Sequence, residues 1–462
     1  MKTVNEGLNE KHGITLKLLV VMFVVLLLLI PKVFVEDLVR EREGRKCEAY
    51  GEIANGWGSD QSVNGVILYV PVVYERTIEK KKETKTLGEV ETETEKEMIR
   101  TVKYLHILPD RLNTTGKMIP ERRYKSIYDF IFFTSDIDVS GSFILKNMQD
   151  YSAGEGSIKW NEAFIVMGIS SMNGIKENVK MDFNGSVISL EQGVINNDVF
   201  NTGLNSKVKI EYMEGKTLNF SYNLKLNGSG SFMFLPSGKE TQVHLESTWA
   251  HPNFHGGFIP ADKQISDSGF ISDWKVIDLN RNYPQNWIEG EFKNTLNESL
   301  FGVSLAYPVD DYRKISRSVK YLVLFVSLTF LMFFLSEVLS KKRIHFVQYV
   351  LVGLSLIVFF VLLLSLSEHI SFLISYIISS ISTIALIGLY STGILKSSKL
   401  AFLISGALTV LYIFLYILLQ NQDYSLLFGS FGLFAALFIV MMATRTTDWY
   451  SLNQTNEGCK KE

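Results

Sequence analysis

The chain has 462 residues, of which 47% are hydrophobic, and a net charge of -2. Segment 36–319 carries 40 acidic against 33 basic residues, so the composition offers no basic surface for a nucleic-acid backbone. The two cysteines, Cys47 and Cys459, fit neither a CxxC motif nor a Cys/His zinc spacing.

Residues 1–13 read as a short polar cytoplasmic tail. Residues 14–35 hold an uninterrupted apolar run, 18–30. They can span a bilayer if Lys17 and Lys32 reach toward the interfaces. No small-x-small cleavage site follows, because 32–37 reads Lys-Val-Phe-Val-Glu-Asp. An uncleaved signal anchor is therefore expected rather than a cleaved leader. Pro31 is expected to bend or end this helix.

Residues 36–319 read as an exported, antiparallel β-rich domain of sandwich type, in one or two lobes. Leu218, Phe220, Tyr222, Leu224 and Leu226 alternate with polar residues, the period of a strand with one buried face. Asn227-Gly228 reads as the turn after it, with Phe232 and Phe234 resuming the alternation. Val208, Ile210 and Tyr212 repeat the pattern, as do Ile137, Val139, Phe143 and Leu145 around Gly141. The continuous apolar run 66–73 suits a strand covered on both faces, with Pro71 marking an edge or a bulge. Segment 79–103 is dense in lysine and glutamate and reads as a solvated hairpin turning near Leu87-Gly88.

From 320 to 444 only nine residues carry a formal charge. Apart from Glu337, near the end of the first run, they sit at the start and in four narrow gaps, which leave five apolar runs: 321–339, 346–366, 370–390, 400–420 and 424–444. Each is close to the roughly 20 residues that cross a hydrocarbon core. A backbone in lipid must satisfy its own polar groups, so each run is expected to be a helix. With the anchor this makes six transmembrane helices. The first helix has no clear charge bias across it. Of the later turns, 340–345 carries Lys341, Lys342 and Arg343, and 391–399 carries Lys396 and Lys399, whereas 367–369 and 421–423 carry no Lys or Arg. The positive-inside rule then places both termini in the cytoplasm, with 445–462 as the C-terminal tail, and 36–319 outside, on the exported side. Trp449, Tyr450, Tyr349, Tyr390 and Tyr424 lie near helix ends, where interfacial anchors are found.

Few residues point to chemistry. His244, His251 and His255 lie close together in sequence, but Pro252 separates the last two from a shared helix face, so loop packing is the expected role and metal binding the minor one. Asp136 and Asp138 share a strand face, a pattern met far more often on solvated strands than in glycosidases. No GxSxG, HExxH or phosphate loop is present. Within the helical block Glu337 is expected to pair with Lys341 one turn on. Glu368-His369 sits in a tight outer turn, either capping it or facing inward as a ligand or proton site. No charge falls in the middle of any of the five runs, which argues against an ion-coupled carrier.

The residues that follow carry a resemblance. Phe301-Gly302-Val303, Pro308-Val309-Asp310-Asp311-Tyr312, Arg343-Ile344-His345, 348–353, 362–369, Asp423-Tyr424 and Asp448-Trp449-Tyr450 resemble the membrane portion of the CreD family, bacterial inner-membrane proteins of cell envelope integrity. Segments 247–254, 257–260 and 266–270, with Trp274 and 284–287, resemble its exported portion. Family members often carry proline where Phe346 and Ala250 stand; Phe346 would let the third helix begin earlier. The resemblance implies a place in the envelope-stress response, in colicin tolerance and in the response to cell-wall-active antibiotics. It implies no reaction, cofactor or metal.

The expectation is a non-enzymatic membrane protein whose exported domain binds an envelope component or partner protein. The candidate residues are Glu368, His369, Glu337, Trp249, His251, Asp267 and Trp274. One alternative is a transporter or flippase of an amphiphile, with a cavity lined by Glu368, His369 and the serine-rich face of 370–391. The other is an ectoenzyme acting on glycan or lipid, joining His251 to Asp267 or Asp273.

Overall fold

The computed structural model describes residues 13–86, 89–152, 156–288, 292–305, 311–340, 344–421 and 424–445. The chain divides into a helical unit, Met1–Cys47 with Val309–Glu462, and a β unit, Glu48–Pro308. The helices are α1 (Gly13–Leu27), α2 (Leu29–Trp57), α3 (Lys293–Glu298), α4 (Asp311–Lys320), α5 (Leu322–Ser340), α6 (Phe346–Ser367), α7 (Phe372–Leu395), α8 (Ser398–Gln420) and α9 (Ser425–Thr444).

Among the described residues five stretches are long and apolar enough to cross a membrane: Lys17–Trp57, Phe346–Ser367, Phe372–Leu395, Ser398–Gln420 and Ser425–Thr444. The pair α4 and α5, bent by 45° at Tyr321, passes the same test when taken together as one broken span, which would bring the number to six. Pro31 does not end the first span. Its missing N–H leaves the carbonyl of Leu27 without a helical donor, and the break falls there, between α1 and α2. Hydrogen bonds continue on both sides, from Leu28 to Val24 at 3.0 Å and from Lys32 to Leu28 at 3.3 Å.

Helix α6 is the centre of the helical unit and packs on α1, α4, α5 and α7. It begins at Phe346, capped by His345, whose backbone N–H donates to Gln348 Oε1 at 3.0 Å. Gly353 lets the first span approach closely, since a Cβ there would lie 2.1 Å from Leu28 Cδ1. Helix α9 buries none of its residues, and its large side chains such as Leu426 and Phe434 are exposed. An all-round apolar helix of this kind has a lipid surface as its natural surroundings.

The β unit is built from a ten-stranded and an eight-stranded sheet. One core draws Val66, Leu68, Phe232 and Phe301 from the first sheet and Phe133, Phe143, Leu224 and Trp274 from the second, as in a sandwich. Most pairings are antiparallel. Two are parallel, Gln61–Val63 with Phe232–Phe234 and Glu240–Ser247 with Arg111–Met118, so the sheets are mixed rather than purely antiparallel.

Residues 66–73 are buried on both faces. Val66, Leu68, Val70 and Val72 face the shared core, while Ile67 and Tyr69 face a second cluster with Val199, Phe200, Tyr283 and Trp287. Pro71 is neither an edge nor a bulge. On one side its strand pairs with Ala163–Ile169 as far as Tyr69 and with Gly156–Ile158 from Val72 onward. The Pro71 carbonyl accepts from Lys159 N at 2.8 Å on that side, so its missing N–H falls in the gap between two partner strands.

Asn227-Gly228 is not a turn. Strand Thr217–Ser229 runs through it, and the chain pivots at Gly230, φ 61°, into Ser231–Phe234 of the other sheet. Gly228 is needed for close approach instead: a Cβ there would lie 2.3 Å from the Phe133 ring. The ladder of the lysine- and glutamate-rich hairpin runs from Leu68↔Ile107 to Thr86↔Glu89. Its turn, Leu87-Gly88, lies outside the described residues.

Candidate functional site

Two buried carboxylates stand at opposite ends of α6, whose 22 residues span about 33 Å. Glu337, on the last turn of α5, is 6% exposed. It accepts from Ile344 N at 2.9 Å and Tyr349 Oη at 3.2 Å and forms an ion pair with Lys17 of α1. Its expected partner Lys341 lies outside the described residues, as do Lys342 and Arg343. Tyr349 is therefore no interfacial anchor: it is buried and turned onto Glu337. Trp449 and Tyr450 lie outside the described residues.

Glu368 caps the C-terminus of α6, where a carboxylate faces the negative end of the helix dipole. It is offset by Arg42 of α2, Nη1 to Oε2 3.7 Å, and by the hydroxyl of Tyr312, which donates to Oε1 at 3.0 Å. Lys46 Nζ stands 5.5 Å from the centre of the Tyr312 ring. A buried ion needs such partners to offset its lost hydration. His369 is exposed, so the two neighbours do not share a site. Each end of the block thus repeats one device, in which a carboxylate takes a tyrosine hydroxyl and a basic side chain from the first span.

The serine-rich face of α7 is buried. Ser375, Ser380, Thr383 and Ser391 donate to carbonyls four residues back, at 2.6–3.1 Å. Tyr376 Oη donates to the carbonyl of Tyr412 at 2.6 Å. These hydroxyls serve the packing of α7 on its neighbours.

In the β unit the residues singled out from sequence do not converge. Trp274 is 2% exposed and packs edge-on to Phe254 at 5.7 Å, so it is core. Trp249 Nε1 donates to the carbonyl of His251 at 2.8 Å. His251 and Asp267 are exposed. Asp273 is held by His244, Nδ1 to Oδ1 2.7 Å, and Glu246 stands 3.3 Å from the other ring nitrogen. The Asp273 bond holds the His244 pKa above its ordinary value. Asp136 and Asp138 are bridged by Asn223 Nδ2 at 2.7 and 2.9 Å. Among the described residues no three His, Cys, Asp or Glu side chains are placed to hold a metal.

Sequence reasoning missed His106. It is fully buried, with its ring 5.0 Å from and nearly parallel to that of Trp287. Burial lowers its pKa to about 4, so it is neutral at physiological pH. The adjoining run 281–287 straps the unit together. Arg281 donates to the carbonyl of Ser237 at 3.0 Å, Tyr283 to that of Pro236 at 2.8 Å, and Gln285 to those of Leu108 and Pro109 at 2.8 and 2.7 Å.

The outer face of the eight-stranded sheet was also missed. It holds a depression of about 470 Å³ lined by Arg111, Asn113, Asp182, Asn184, Asn219 and Ser221, among others. Cross-strand register aligns Asn113, Ser140, Ser221 and Asp182 in one row, and Arg111, Ser142 and Asn219 in the next.

A family model described as "Inner membrane protein CreD" matches residues 13–450. The chain is also 30% identical, over 446 residues, to the inner membrane protein CreD of Escherichia coli (strain K12), covering 95% of this chain and 94% of that protein.

Proposed function

The chain belongs to the CreD family of inner membrane proteins, and from that membership we propose that it supports cell envelope integrity by binding an envelope component with its β unit. In this reading both termini are cytoplasmic, and Glu48–Pro308 is exported between the first and second spans. The protein performs no catalysis of its own; the helical unit retains the β unit at the inner membrane.

The observation that carries this reading is the way the first span is held. Lys17 and Arg42, about 37 Å of helix apart, are latched to Glu337 and Glu368 at the two ends of α6. A span latched at both ends is a permanent member of the block, so the β unit is tethered where it enters and where it leaves. Lys396 and Lys399, next to the break between α7 and α8, support a cytoplasmic side for that turn.

Single cysteines at exposed positions of the β unit, Leu279→Cys and Val187→Cys, test the topology in a background lacking both native cysteines, Cys47→Ser and Cys459→Ser. A membrane-impermeant maleimide should label both in intact spheroplasts. Labelling only after the membrane is opened would overturn the reading. Removing 48–308 while keeping the helices should abolish the envelope phenotype, and full function without that segment would refute a binding role for it.

A further inference from the structure

We propose that the depression on the outer face of the eight-stranded sheet is a binding site for an anionic saccharide. This inference rests on the reading that the β unit is exported, because it names the chemical class of the envelope component.

One sheet face has two halves that treat their polar groups differently. In the half bearing Asp136, Asp138 and His244 the side chains satisfy one another. Asn223 bridges the two aspartates, Lys225 meets Glu177 at 3.1 Å, and His244 meets Asp273 at 2.7 Å. In the half that forms the depression, the side chains of Asn113, Asn184, Asn219 and Ser221 make no hydrogen bonds among the described residues. Their amides and hydroxyls supply donors and acceptors side by side, on short side chains that lose little freedom when they bind.

The backbone fixes this array. Asn184 and Gly185, at φ 51° and 82°, turn the Lys180–Phe183 and Ser186–Ser189 hairpin at the rim. Asn184 N donates to the carbonyl of Asn219 at 2.8 Å, and Gly185 N to Asp182 Oδ1 at 2.8 Å. A Cβ at Gly141 would lie 2.4 Å from both the Arg111 carbonyl and the Phe220 ring, so glycine is needed for the close packing there.

The volume, about 470 Å³, lies within the range of small-molecule sites, but the lining is polar where such sites are mostly apolar. The matching ligand is one whose own surface is a dense array of hydroxyls, each donating and accepting. Arg111 and Asp182 stand on different strands of the same floor. An arginine fork favours a carboxylate or phosphate, and an aspartate accepts from sugar hydroxyls. Glu240, opposite Arg111 on the next strand, is held chiefly by Lys275 at 3.0 Å and only more weakly by the charge of Arg111, so the Arg111 guanidinium keeps donors for a ligand.

The test uses the full-length protein in nanodiscs and three probes: a carboxylate-bearing GlcNAc–MurNAc tetrasaccharide, glucosamine 6-phosphate, and neutral chitotetraose. Calorimetry should show at least one anionic probe binding tighter than chitotetraose. Which of the two binds identifies carboxylate or phosphate as the group recognised. Arg111→Gln should weaken the anionic probe about tenfold, and Asn219→Ala should weaken all probes that bind. Asp138→Asn, in the self-paired half, should change none, and equal thermal midpoints control for folding. No binding by any probe, or binding indifferent to Arg111→Gln and Asn219→Ala, overturns the site. If in-cell cross-linking from the β unit still captures an envelope component, the broader binding role stands without it. No capture from any exposed position overturns both.

Discussion

In the helical unit every buried carboxylate described above finds its cation on a distant part of the chain: Glu337 lies 320 residues from Lys17. In the β unit charged groups are satisfied across neighbouring strands, as His244 is by Asp273, 29 residues away. The same electrostatic requirement acts on both, because a charge removed from water must be paired or hydrogen-bonded. What differs is the surroundings. Lipid leaves a helix no polar neighbour except another helix, so charges gather at helix ends and bind the spans together. Water on one side of a sheet allows polar rows outside and apolar rows inside, and pairing there is local.

The sharpest way to break this contrast is to remove apolar volume from the β unit. Trp274→Ala should destabilise it by about 4 kcal/mol, the range for large aromatic truncations, seen as a lower midpoint in thermal unfolding of the full-length protein. A near-neutral result would show that Trp274 carries little of the core's stability. A second test titrates the β unit's buried histidine. His106 ionises near pH 4 when folded and near 6.5 when unfolded. Below pH 6.5 the unfolded chain takes up the extra proton, so stability falls as pH drops from 6.5 to 4, by about 3 kcal/mol. His106→Leu should remove that pH dependence from the unfolding midpoint.

A third tests the long-range latch. Glu337→Ala leaves Lys17 without its carboxylate and should cost about 2 kcal/mol, below the usual figure for a buried pair because the Lys17 side chain keeps 28% of its exposure. The readout is loss of a disulfide cross-link engineered between α1 and α6. Glu337→Gln should retain part of it through the bonds to Ile344 and Tyr349. The smallest effect is local. His244 should titrate above 6.5 by NMR, and Asp273→Asn should bring it down. The stability it contributes is full below pH 6.5 and fades as pH rises through its folded value.

Much of this architecture was legible in the residues. Charge gaps delimited the apolar runs because a charge inside a lipid-embedded helix is costly. The alternation at 218–226 and the unbroken run at 66–73 stated one-sided and two-sided burial. The burial of Trp274 was legible too, since Phe270, Ser272, Trp274 and Val276 keep strict alternation. Other features were hidden for physical reasons. Asn227-Gly228 has the chemistry of a turn, and only the Phe133 ring packed against Gly228 shows another use for the glycine. The first span's partners lie hundreds of residues downstream, beyond any local period. The polar depression depends on which strands become neighbours: Asn113, Asn184 and Asn219 share an Asn-x-Ser/Thr pattern in the sequence, but nothing in that pattern places them side by side.

The latch of Lys17 on Glu337 also sets an order of assembly. A ribosome adds roughly 5–20 residues per second, so the 320 residues between the partners take on the order of half a minute to appear. Throughout that interval the first helix resides in the bilayer as a lone passenger, its two cations facing headgroups and its Leu28 unseated. A transcript cut short before codon 337 would yield an anchored yet unlatched product.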